Sequence, residues 1–164
     1  MTGHIVQISI SRGGIPKRAV SEARVTPLGL EGDACANPAI HGGPQQALLI
    51  ITAEGIDELI TLGYPLFYGA LGENFTTRGL DRKQLRIGQQ FRVGTARIEI
   101  TKLRTPCSTL DVYGPDIKQA IYDSQAKGGK PPGAHWGLSG FYASVLETGC
   151  VRVNDRVALE AVLV

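Results

Sequence analysis

Arg86-Ile87-Gly88-Gln89-Gln90-Phe91-Arg92-Val93-Gly94-Thr95-Ala96-Arg97-Ile98-Glu99-Ile100-Thr101-Lys102-Leu103 decides the fold of this chain. On either side of Gly94-Thr95, apolar and polar residues alternate: Phe91 and Val93 before the break, Ile98 and Ile100 after it. A period of two puts successive side chains on opposite faces, the mark of a strand with one buried face. A two-residue break carrying glycine between two such runs is a tight hairpin. Strands are therefore predicted over 86–93 and 97–103.

The same signal recurs outward from this hairpin. Residues 4–10 alternate around Ile5, Ile8 and Ile10, with Val6 breaking the pattern. Residues 19–25, 141–146 and 156–164 read as further strands. Residues 46–52 form a nearly continuous apolar run, as expected of a strand buried on both faces. Helices are few. Thr52 can cap one through Ile56, Leu59 and Ile60, with Gly63 at its end. Gly114-Pro115-Asp116 opens a second, whose Ile117, Ala120, Ile121 and Ser124 share a face and which stops before Gly128-Gly129. Short strands, two small helices and 21 glycines point to a mainly β protein, a closed or nearly closed β-barrel. The 164 residues suit one domain over 1–164, with no repeat and no linker.

A formal charge of +2 does not support nucleic-acid binding, which needs a concentrated basic face. It leaves room for a local basic pocket around a small anion. No secretory signal is visible, and the longest apolar stretches, such as Ala47-Leu48-Leu49-Ile50-Ile51, are too short for a bilayer. A cytoplasmic protein with no membrane or nucleic-acid partner is expected. Cys35, Cys107 and Cys150 have no Cys-x-x-Cys spacing and make neither a disulfide framework nor a cluster site.

The chemistry concentrates where the second hairpin strand ends, at Arg104-Thr105-Pro106-Cys107-Ser108. Cationic neighbours such as Arg104 favour the thiolate, the useful form of cysteine. Pro106 stiffens the strand end that presents it. A free cysteine is otherwise a small buried hydrophobe. Four further segments have two readings each. His41-Gly42-Gly43-Pro44 is an anion nest or a glycine turn. Leu71-Gly72-Glu73-Asn74-Phe75-Thr76-Thr77 offers dense donors and acceptors, or is a polar turn before a short strand. Ser11-Arg12-Gly13-Gly14 is a phosphate contact or a surface turn. Residues 130–137, which hold His135 and Trp136, are a lid or a loop with Trp136 folded onto the core. Cys35 and Cys150, the latter in an expected turn, are assigned to structure. Asp81-Arg82-Lys83, Glu54, Asp57 and Glu58 are read as solvated faces.

Taken in order, these pieces resemble the MOSC domain family, named for the C-terminal domain of molybdenum-cofactor sulfurases. The matching stretches are Gly29-Leu30-Glu31-Gly32-Asp33, His41-Gly42-Gly43-Pro44, Leu71 to Leu80, Ile87-Gly88, Arg104-Thr105-Pro106-Cys107, Gly137 to Tyr142 and Gly149 to Asp155. The likeness is to the short, stand-alone bacterial branch. One departure is Asn154, where the family usually has glycine before the late aspartate; asparagine tolerates positive φ, so the turn should survive. The resemblance implies a β-barrel that binds a molybdenum cofactor, a pterin dithiolene with a terminal phosphate (molybdopterin). Cys107 maps to the family's thiolate ligand to molybdenum. Ser11, Arg12, His41, Gly42, Gly43 and Arg104 would meet phosphate or cofactor, and Glu73, Asn74 and Thr76 the pterin or a neighbouring ligand. Relatives of this type reduce N-hydroxylated compounds, hydroxylaminopurines or amidoximes, to amines. That reaction needs a proton donor, for which His135 and His41 are candidates, and electrons from a separate reductase. Two rival readings are a sulfur carrier with a persulfide on Cys107 and a noncatalytic barrel that binds an anion.

Overall fold

The computed structural model describes residues 1–35, 42–129 and 133–162, with side chains to residue 160. In chain order its elements are β1 (Thr2–Ile10), β2 (Arg18–Val20), β3 (Glu22–Thr26), β4 (Gly29–Leu30), β5 (Leu48–Thr52), α1 (Ala53–Thr61), β6 (Phe75–Arg78), β7 (Gln89–Val93), β8 (Ala96–Leu103), α2 (Ile117–Ile121), α3 (Ser124–Lys127), β9 (Phe141–Glu147), β10 (Gly149–Arg152) and β11 (Arg156–Val162).

The hairpin forms as expected: Val93 pairs with Ala96 across Gly94-Thr95, and Gly94 adopts φ 56°. From it the sheet runs β11-β7-β8-β9-β5-β6-β1, and β1 pairs back onto β11, closing a seven-stranded barrel with β2 appended to β1. The β5–β6 pair is parallel and the other neighbours are antiparallel. A small second sheet, β10-β3-β4, lies beside it. Val6, which breaks the alternation of β1, marks a shift of register against β6 between Ile5 and Gln7. The extra residue lets Ile5 and Ile8, of opposite parity, both point inward and be fully buried.

Ile5, Ile50, Phe75, Phe91, Ile98 and Phe141 pack the barrel interior, leaving only about 10 Å³ among them. No ligand fits there. The sequence reading puts Cys107 at a strand end, and the larger space lies there, outside this packed interior. β5 is buried on both faces: Leu48 and Ile50 face the interior, while Leu49 and Ile51 face a second cluster with Ile56, Leu59, Ile117 and Ile121. Thr52 Oγ1 accepts from the Gly55 N–H at 3.2 Å and caps α1, which gives way after Leu62 to Gly63 at φ 101°.

Four expectations are corrected. Residues 19–25 are two strands, because the chain turns at Ser21 and feeds β2 and β3 into different sheets. The second helix is interrupted at Tyr122-Asp123: the Asp123 side chain accepts from the Ala126 N–H at 2.8 Å and starts α3 afresh. Cys150 lies in strand β10, opposite Arg24 of β3, and not in a turn. Arg82 is buried. Its guanidinium donates to the carbonyls of Trp136 and Ala134 and to Glu58, holding the segment before β9 against the barrel. Trp136 is folded onto the core, its indole N–H donating to the Leu85 carbonyl at 2.9 Å. Lys130 to Pro132 of the suggested lid lie outside the described residues. Asn154 holds the turn before β11 at φ 75°. Among the described residues, no helix is long and apolar enough to cross a membrane.

Candidate functional site

Where β8 ends, the backbone stays attached to the barrel for one more residue. The Arg104 N–H donates to the Gly140 carbonyl at 2.9 Å, and Ser139 Oγ donates to the Arg104 carbonyl at 2.6 Å. Pro106 then turns the chain, and Cys107 stands extended just before the 3-10 turn Ser108–Tyr113. Its half-buried sulfur lies 2.8 Å from Thr109 Oγ1. Burial pushes the thiol up, but hydrogen bonding from Thr109 and the positive charge of Arg104 outweigh it, and the pKa falls below the ordinary thiol value. Arg104 itself is buried, with one guanidinium N–H reaching the Ser139 carbonyl at 3.4 Å and Nε without a partner. Burial lowers its pKa against the opposing effects of Tyr142, Cys107 and Glu73.

Cys107 and Arg104 form one wall of a cavity of about 390 Å³ at the barrel rim. The opposite wall comes from loops distant in sequence: Lys17 before β2, and Asp33 and Cys35 after β4. Asn74 and Tyr142 complete it. Lys17 Nζ lies 2.6 Å from Asp33 Oδ1, and both side chains are nearly buried. The same Asp33 oxygen accepts the Ser11 N–H at 2.8 Å, while Oδ2 accepts Asn74 Nδ2 at 2.8 Å. Asn74 also donates to the Ser9 carbonyl at 3.2 Å and accepts the Leu49 N–H at 3.1 Å. One side chain thus ties β1, β5 and the Asp33 loop into a fixed rim. The arrangement presents a soft sulfur whose pKa is lowered, a buried cation and an ion pair around one polar space. It can hold a soft electrophilic centre together with an anionic group.

Of the candidate site residues, Gly42, Asn74, Arg104 and Cys107 line this cavity, joined by Gly14, Leu71, Gly72 and Ser108 of the same quoted segments. The others are placed elsewhere. Ser11 supports Asp33 from behind, and its hydroxyl donates to the Gly14 carbonyl. Arg12 is exposed, as is Gly43. His41 lies outside the described residues. Glu73 is fully buried behind the wall. Its Oε1 accepts the Gly69 N–H at 2.5 Å and the Thr76 hydroxyl at 3.2 Å, and its Oε2 has no partner. Burial raises the Glu73 pKa, against the Gly69 and Thr76 hydrogen bonds and the charge of Arg104. His135 is outside the cavity wall, with Nδ1 2.7 Å from Asp123.

Sequence reasoning assigned no role to Lys17, Tyr142 or Thr109, and it set Cys35 aside as structural. The available signal was Gly32-Asp33, which belongs to the quoted motif but was given no function there. Cys35 is in fact exposed and faces the cavity.

The MOSC domain profile matches residues 37–158. The uncharacterized protein YflK of Bacillus subtilis is 34% identical over 152 residues, covering 90% of this chain and 62% of that protein. Protein YiiM of Escherichia coli is 35% identical over 99 residues, covering 56% and 43%. The chain therefore spans less than two thirds of either curated relative. The crystal structure of YiiM from Geobacillus stearothermophilus superposes with a TM-score of 0.72 over 97% of this chain and 75% of that one, at 24% identity. That of YiiM from Escherichia coli gives 0.70 over 99% and 71%, at 26% identity. The closed barrel is the shared fold.

Proposed function

The chain belongs to the MOSC domain family, and from that premise we propose that the rim cavity is a molybdenum-cofactor site at which N-hydroxylated small molecules, of the hydroxylaminopurine or amidoxime type, are reduced to amines. The observation that carries this reading is Cys107: a half-buried thiol with a lowered pKa, on the wall of a polar cavity and acted on by the charge of a buried arginine.

The residues present fit the group. Among the described residues there is no set of three or more His, Cys, Asp or Glu side chains that could hold a metal ion. A single protein sulfur suits a metal that arrives already held by other sulfurs, as in a pterin dithiolene. The unpartnered Nε of buried Arg104 is a donor in want of an acceptor, which an anionic ligand supplies. When bound, the cofactor supplies the two electrons that break the N–O bond.

The rest is done by the chain. Cys107 contributes the protein sulfur. Arg104 offsets anionic charge where water is scarce, so that its interaction is stronger than at an open surface. Lys17, held against Asp33, and the Tyr142 hydroxyl, whose pKa burial raises, are protonated groups on the wall. They are better placed than His135 to give a proton to the departing oxygen. The electrons come from a separate reductase.

The test is elemental and pterin analysis of protein purified from cells that make the cofactor, for wild type and Cys107→Ser. Wild type should carry about one molybdenum per chain, as one thiolate position implies. Cys107→Ser should keep its fold and lose both metal and reduction of a hydroxylaminopurine with a chemical electron donor. Equal molybdenum in the two proteins would remove Cys107 from the role given to it. A persulfide on Cys107 without metal would favour the sulfur-carrier reading.

A further inference from the structure

Two of the three free cysteines face the same cavity. Cys107 does so from the end of β8, and Cys35 from the segment after β4. The Cys35 sulfur is seated over the bare Cα of Gly42, at φ 93°, where an added Cβ would stand 2.9 Å from it. The side chain is thereby turned toward the cavity. Both sulfurs act electrostatically on the Tyr142 hydroxyl. Cys150 is elsewhere, in a surface recess with Arg92 and Arg152.

The two thiols stand on the walls of one cavity of about 390 Å³, and bonding them requires their Cα atoms to come within roughly 7 Å of each other. Asp33 is pinned by Lys17, Ser11 and Asn74, and Cys35 follows two residues later. The Ala34 N–H also donates to the Ser11 carbonyl at 2.8 Å, so the tether is a single residue of about 3.5 Å and the closing motion is a short one at the cavity wall.

We propose that Cys35 and Cys107 are a dithiol pair that closes reversibly across this cavity, with Cys35 resolving an oxidised Cys107. The oxidant is a hydroperoxide. The Cys107 thiolate attacks one peroxide oxygen and the O–O bond breaks. The other oxygen leaves as water or an alcohol after taking a proton, and Cys107 becomes a sulfenic acid. The Cys35 thiolate then attacks that sulfur, the S–O bond breaks, and hydroxide leaves as water once protonated. Two electrons have passed from the two sulfurs to the peroxide. An external dithiol returns two electrons and two protons and restores both thiols. The closed form withdraws the Cys107 sulfur from any soft ligand and seals the cavity with a covalent bar. The pairing stands on two thiols in one cavity and does not depend on the metal proposed above.

Reduced protein is treated with hydrogen peroxide, alkylated with N-ethylmaleimide, and weighed intact before and after dithiothreitol. The expected product is monomeric and lighter by two hydrogens before alkylation, with alkylation falling from three sites to one. Peptide mapping should show a 35–107 link that dithiothreitol reverses. Cys35→Ser, a change at an exposed side chain, should instead let Cys107 run on to sulfinic acid. The proposal is overturned if wild-type Cys107 gains oxygen while Cys35 stays alkylatable, if the link joins two chains, or if it involves Cys150.

Discussion

Replacing Arg82 by methionine should cost this protein about 3 kcal/mol, from the loss of two charge-assisted hydrogen bonds to main-chain carbonyls at roughly 1.5–3 kcal/mol each. The acceptors are Trp136 and Ala134, at 2.5 and 3.0 Å. The pair with Glu58, at 3.2 Å, adds little because the carboxylate is half exposed. Methionine keeps most of the stem volume, which packs against Gly55 and Gly137, so the loss is polar and not a cavity effect. The lower end of the range applies because the variant no longer has a cation to desolvate. For a chain of this size 3 kcal/mol corresponds to roughly 6–12 °C in Tm.

Urea unfolding followed by tryptophan fluorescence gives the free energy, and Trp136 lies at the affected segment. The denaturant slope should be unchanged, since the surface exposed on unfolding is the same. Arg82→Lys should recover only part of the loss, because an ammonium lacks the planar fork that serves two carbonyls. A loss below about 1 kcal/mol in Arg82→Met, the worth of an ordinary surface pair, would refute the claim that this guanidinium fastens the segment before β9.

Two other outcomes follow from backbone and carboxyl chemistry. Asn154→Ala should lower stability by about 1 kcal/mol while Asn154→Gly leaves it nearly unchanged in thermal melts, because φ 75° suits glycine and asparagine but strains alanine; equal losses in the two variants would assign the effect to the lost side chain. Burial raises the Glu73 pKa, so the folded chain keeps that proton over a range, above the ordinary carboxylate pKa, in which the unfolded chain releases it. Stability from this group is therefore greatest at low pH and is lost as pH rises toward the folded pKa. Glu73→Gln keeps an acceptor for Gly69 and should flatten that slope; parallel pH–stability curves for wild type and variant would show that Glu73 carries no such shift.

How far these features could be read from the chain depends on where their partners come from. The 86–103 hairpin was legible because alternation and turn chemistry are local, and one buried face enforces both. Even the flaw at Val6 was visible, though only pairing with β6 identifies it as a register shift. The second helix misled because Ile117, Ala120, Ile121 and Ser124 keep helical spacing across an interruption made by the Asp123 cap. Arg82 misled for a different reason. Its neighbours in sequence are charged, but its partners Ala134 and Trp136 lie more than fifty residues away.

The site divides along the same line. Cys107 and Arg104 belong to one strand end and could be found together. Lys17, Asp33, Asn74 and Tyr142 meet them only because the strand order β8-β9-β5-β6-β1-β2 sets β9 beside β8 and brings distant loops to the same rim. Cys35 shows the consequence most sharply. Judged by its neighbours in sequence it has nothing to activate it, and judged by the cavity it shares it has a second thiol for company. A pattern within one segment reports the preferences of that segment. Which thiol shares a cavity with which is a property of strand order, and the surroundings of Cys107 are set as much by the loop after β4 as by the arginine three residues before it.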